Sequence, residues 1–98
     1  MAAKVVISTG DLKQEYEILD TIFAIDSHAG GFWSKSVSPS KAFEGVKEQL
    51  DKECKKLGGN AVINCQFEYR NALAYDGLLG NKKKQVIEIL AYGTAVKY

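Results

Sequence analysis

The sequence predicts an α+β fold: one small domain over residues 1–98, in the order β-β-α-β-β, with one amphipathic helix packed on a mostly antiparallel sheet. Three observations carry this. Phe43, Val46, Leu50, Cys54 and Leu57 recur at spacings of three and four between Pro39 and a Gly58-Gly59 pair, the stripe of one helix of about five turns. Ala61 to Arg70 alternates, with Ala61, Ile63, Cys65, Phe67 and Tyr69 on one side and Asn64, Gln66, Glu68 and Arg70 on the other. That is the period of a strand with one buried face. Gln85 to Lys97 is apolar on both faces, Val86, Leu90, Tyr92 and Val96 on one and Ile87, Ile89, Ala91 and Ala95 on the other.

The remaining elements follow in order. Lys4 to Ser8 is a short β-branched run ended by Gly10-Asp11, a strand and a turn. Glu15 to Ser27 is a second strand, with Tyr16, Ile18, Ile22 and Ala24 on one face and Leu19, Phe23 and Ile25 on the other. His28 to Ser38 is rich in glycine and serine and reads as a loop. Pro39 opens the helix, where its missing N–H leaves no bond unmade, and Ser38 is placed to cap the free donors. Gly58 and Gly59 end it, since glycine takes the left-handed C-terminal conformation without a Cβ clash. Asn71 to Lys84 reads as a long connector whose Lys82-Lys83-Lys84 run makes a solvated hairpin tip.

Composition narrows the classes. With 46% hydrophobic and 26% charged residues the chain is an ordinary globular one. A net charge of +1 lacks the positive excess from which nucleic-acid binders draw affinity, so nucleic acid is not an expected partner. Two cysteines do not make a disulfide scaffold. The first apolar run is too short for a secretory signal, and no later one approaches the roughly 20 residues of a spanning helix. The expected compartment is the cytoplasm, with reduced thiols and no membrane partner. Assembly follows from the last strand: one helix covers one face of a sheet, yet this strand asks for cover on both. The simplest cover is another copy of the chain, so a homo-oligomer is expected.

Two segments carry a resemblance. Leu57-Gly58-Gly59-Asn60-Ala61-Val62-Ile63-Asn64 and Ala91-Tyr92-Gly93-Thr94-Ala95-Val96, with Phe67-Glu68-Tyr69 between them, resemble the hallmark segments of the YbjQ-like family of small bacterial and archaeal proteins. The resemblance covers nearly the whole chain. It implies a β-α-β-β subunit of the dodecin-like or YbjQ-like type, assembled as a ring, commonly a pentamer, and it carries the family's heavy-metal-binding label. The loop after the second strand is shorter here, and the connector before the last strand is longer and more basic. Cys65 stands where the family pattern is mostly aliphatic, so no family role transfers to it.

Few residues offer chemistry. A thiolate is the soft donor that copper and zinc prefer; Cys65, with Cys54 and His28, is the candidate metal set, and a ring would gather one Cys65 from each copy. Core packing is the competing reading of both cysteines, and the stronger one for Cys54 on the helix stripe. His28 follows Asp26 by two residues, the pairing of an imidazole oriented by a carboxylate that a ligand or general base uses; an exposed loop histidine is the alternative. Phe32 and Trp33, flanked by Gly30-Gly31, together with Asp26 are candidates for a ligand pocket, or else a cap on the core or on a neighbouring subunit. No nucleophile motif accompanies the Ser, His and Asp residues, so the expected function is non-enzymatic: an oligomeric domain binding a soft metal ion or small ligand. The alternatives are a purely structural oligomer or a small enzyme with an inter-subunit site.

Overall fold

Four strands and one helix follow one another as β1 (Val6–Ile7), β2 (Glu17–Ala29), α1 (Pro39–Lys56), β3 (Ala61–Asp76) and β4 (Lys82–Lys97). The computed structural model describes residues 4–29, 39–76 and 82–98. The sheet has the order β1-β3-β4-β2. β4 pairs antiparallel with both β2 and β3, and β1 lies parallel to the start of β3. This is the expected α+β domain with a mostly antiparallel sheet. The helix lies across one face.

Three strands are longer than their composition suggests. β3 continues through Asp76 and β4 begins at Lys82, so most of the expected connector is a paired ribbon with Asn71 opposite Ile87 and Asp76 opposite Lys82. Polar residues persist there because their bonds are made strand to strand, whatever the side chains. β2 likewise runs on through His28 to Ala29, where a loop was expected. Ser38, the expected cap, lies outside the described residues. The helix stops where expected: Gly58 takes φ 82°, and the Gly58 and Gly59 N–H groups donate to the Lys55 and Cys54 carbonyls at 3.0 and 2.9 Å.

Simple alternation fails at two bulges, one on each strand flanking β4. On β3 the register shifts between Ile63 and Gln66, and Asn64 takes φ 51°, a left-handed conformation that asparagine tolerates better than most residues. The inserted residue turns the strand over. Val62, Cys65 and Phe67 therefore meet the helix, while Ala61 and Ile63 face away with Val96. The expectation that Ile63, Cys65 and Phe67 share a face is corrected. On β2 the shift between Ile18 and Asp20 moves Leu19 to the helix side with Ile22 and Ala24, and Tyr16 packs with the other face.

Under the helix, Ala42, Val46, Leu50 and Cys54 bury against Ile22, Ala24, Val62, Cys65, Ile87, Ile89, Ala91 and Ala95. The Phe43 and Phe67 rings close one end with centroids 5.6 Å apart. Leu57, expected in this stripe, is 41% exposed, because it lies past the last helical turn. The opposite face has only local cover: Leu12 and Tyr16 fold over Ala61, Ile63 and Val96, held by a Tyr16 hydroxyl donated to Asp11 Oδ1 at 2.8 Å. Beyond them, among the described residues, the face is bare. The molecule measures 54 × 26 × 20 Å with a radius of gyration of 16.5 Å, against about 13 Å for a compact chain of this length. β3 and β4 stay paired to Asp76 and Lys82, past the last residue of β2, Ala29, which pairs with Val86.

Candidate functional site

The two motif segments meet at one end of the sheet, and what they build is a latch. Asn60 sits between the helix stop and β3. Its side chain acts as a strand residue would, donating from Nδ2 to the Tyr98 carbonyl and accepting at Oδ1 from the Tyr98 N–H, both at 3.0 Å. Its backbone N–H donates to the Val96 carbonyl at 3.0 Å. Gly59 is there because a Cβ would come within 2.7 Å of Cys54 Sγ and 2.9 Å of the Val96 oxygen. Gly93 fits over the β3 bulge, where a Cβ would stand 2.8 Å from Val62 Cγ1 and 3.2 Å from Cys65 Cα. These residues hold the end of β4 to the start of β3 and carry no reacting group.

Both cysteines lie just inside this latch, fully buried and unpaired as disulfides. Cys54 donates its thiol to the Ala61 carbonyl at 3.4 Å. Burial pushes both thiols above their ordinary range; for Cys54 the Asp51 carboxylate adds to this, against the hydrogen bonds to the Ala61 and Val96 backbone. Loss of solvent penalises the thiolate, so these are neutral thiols at neutral pH. A tetrahedral soft-metal site needs three or four donors. Among the described residues no three His, Cys, Asp or Glu side chains come together. The two thiols of one chain therefore fall short of a metal set on their own, and they face the core.

The other candidates separate. Asp26 is half-buried on β2, with its carboxylate against Gly45 of α1 so closely that a side chain at 45 would overlap it. The β2 backbone runs without a break from Asp26 through His28, which pairs with Ile87; the His28 side chain lies outside the described residues. Phe32 and Trp33 lie outside them as well.

What the sequence did not single out is the bare face. Phe23 and Ile25 on β2 are 68% and 57% exposed; they pair with Tyr92 and Leu90 on β4, and Tyr92 is 40% exposed. A shallow depression of about 290 Å³ opens there, lined by Ile25, Glu68, Tyr69, Arg70, Glu88, Ile89 and Leu90. Arg70 donates from Nε and Nη2 to one oxygen of Glu88 at 3.2 and 3.0 Å. Apolar floor and charged rim are the composition of a contact surface. The signal existed in the even residues of β4, but the partner residues depend on register.

No helix among the described residues is long and apolar enough to cross a membrane. No curated protein matches the chain. A crystal structure of a protein of unknown function from Pediococcus pentosaceus, assigned to the DUF74 family, is similar over 95% of this chain and 96% of its own, with a TM-score of 0.70 and 18% identity, which supports the shared fold. The family described as "Putative heavy-metal-binding" matches residues 4–98, a span that includes every residue of the latch. On that match the chain belongs to the YbjQ-like family.

Proposed function

We infer that this chain is a non-enzymatic, cytoplasmic domain that works as a homo-oligomer, with five copies favoured by the family resemblance. The observation that carries the reading is the bare sheet face of Phe23, Ile25, Leu90 and Tyr92, apolar in the middle and rimmed by charge. Large apolar patches of this kind mark interaction surfaces, and a net charge of +1 sets little repulsion between copies. Native mass spectrometry on untagged protein tests it by reporting stoichiometry and any retained metal together. A monomer at micromolar concentration overturns it.

A second reading, binding of a soft metal such as copper or zinc, is favoured by the family description and by the two thiols, the softest donors in the chain. Both thiols would have to lose their protons and leave the core packing, because the thiolate is the ligand. Uptake is therefore expected to weaken as pH falls and to vanish in Cys65→Ser, while Cys54→Ser acts through stability. Unchanged affinity in Cys65→Ser, or none in the submicromolar range for the wild type, removes this reading and leaves the structural oligomer. An enzyme built on Asp26 and His28 has less support, since the Asp26 carboxylate is packed on the helix.

A further inference from the structure

One chain ends its sheet in two unlike open edges. β2 is the outer strand on one side. The Thr21 N–H is taken by Asp20 Oδ1 at 2.8 Å, and the Ile25 carbonyl accepts from Gln49 Nε2 at 2.8 Å. Side chains serve those two groups in the single chain, and a strand laid along Phe23–Ala29 takes the Ile25 carbonyl over from Gln49. A strand residue sends its N–H and C=O out on the same side, alternating with its neighbours, so Thr21, Phe23 and Ile25 are the positions whose backbone faces outward. On the other side of the sheet, β1 and the residues after it cover only the beginning of β3. Asn64 and Cys65 donate to the Gly10 and Ser8 carbonyls at 3.0 and 2.9 Å; from Gln66 onward no strand lies beside β3 among the described residues. A long open edge invites strand pairing.

The two edges match in height and in direction. Phe23 to Ala29 stand opposite Tyr92 to Val86 of β4, and Gln66 to Ala72 stand opposite the same residues from the other side. Both strands run antiparallel to β4 and hence parallel to each other. A rotation about an axis along the strands brings β2 of one copy against β3 of the next, parallel and level. We propose that copies of this chain join head to tail by pairing the outer edge of β2, over Phe23–Ala29, with the outer edge of β3, over Gln66–Ala72, in the neighbouring copy. Such a joint is heterologous, so it propagates until the rotation closes a ring. It sets Phe23 and Ile25 of one copy beside Gln66 and Glu68 of the next, so the bare face gains cover along its edge. The proposal rests on the self-association inferred above.

Engineered thiols test it. Ile25 and Glu68 both stand level with Leu90, on either side of it, so within one chain they lie two strand spacings apart, roughly 9.5 Å, beyond the reach of a disulfide. Across the proposed joint they are neighbours. Under mild oxidation a mixture of Ile25→Cys and Glu68→Cys chains should give a covalent dimer of twice the 10.8 kDa chain mass containing one of each, neither variant alone should cross-link, and the double variant should give a ladder up to the native assembly mass. Ser27→Cys with Arg70→Cys, both level with Glu88, repeats the test at a second height should the first pair fail to fold. Light scattering on the same samples separates the two inferences. An oligomer without mixed cross-links at either height, or one in which a single variant links to itself, overturns the edge pairing and leaves self-association standing. A monomeric mass removes both.

Discussion

Asn64 is the residue on which the face assignment of β3 turns. Its left-handed backbone lets the strand roll over, which sends Ile63 away from the helix and Cys65 toward it. A β-branched residue there is strained by roughly 1–2 kcal/mol, so Asn64→Val should lower the free energy of chemical denaturation by about that much, while Asn64→Gly should be nearly neutral. Equal effects of the two would show that backbone conformation is not the cause. The thiols give a second test. Burial raises both above the ordinary 9.0, so the fold favours the protonated form. That contribution is complete below the unfolded thiol's pKa and is lost as pH rises through the raised folded values. Denaturation midpoints of the wild type should fall above about pH 9 more steeply than those of a Cys54→Ala, Cys65→Ala double variant; parallel curves would refute it.

The elements differ in how openly the sequence displays them. The helix is plain because its stripe is local: every position from Ala42 to Cys54 that periodicity assigns to the core is buried or, like Phe43, half-buried against it. Leu50→Ala should cost about 2–5 kcal/mol, the range for a buried leucine with no solvent contact; a loss below about half a kilocalorie would contradict the packing. The alternating strands are legible only up to their bulges, since one inserted residue reverses every later assignment and nothing in Ile63-Asn64-Cys65 marks it beyond an asparagine. The ribbon from Asn71 to Asp76 was hidden for another reason. Its residues pair through the backbone, and its sequence, Asn-Ala-Leu-Ala-Tyr-Asp, lacks the apolar–polar alternation on which strand recognition depends. The motif glycines were visible as a turn, but their function in the latch depends on Val96 and Val62, which only the fold brings near.

At the scale of the whole molecule, the need of β4 for cover on both sides was readable, and which side lies open was not. Ile87 and Ile89, the positions that the sequence would choose for disrupting assembly with lysine, are buried beneath the molecule's own helix; a charge there unfolds the chain and says nothing about oligomers. Phe23→Lys is the informative change. It should leave the circular dichroism spectrum intact and reduce the light-scattering mass from a multiple of 10.8 kDa toward the single chain; an unchanged mass would place the interface elsewhere. The strand order has one more consequence, for the growing chain. β4 is the partner of both β2 and β3 and comes after them in sequence. Until β4 is made, β2 has no strand to join. Pairing of β2 therefore waits for β4, and until then Phe23 and Ile25 lie on an unpaired strand, where a chaperone or a neighbouring nascent copy would meet them first.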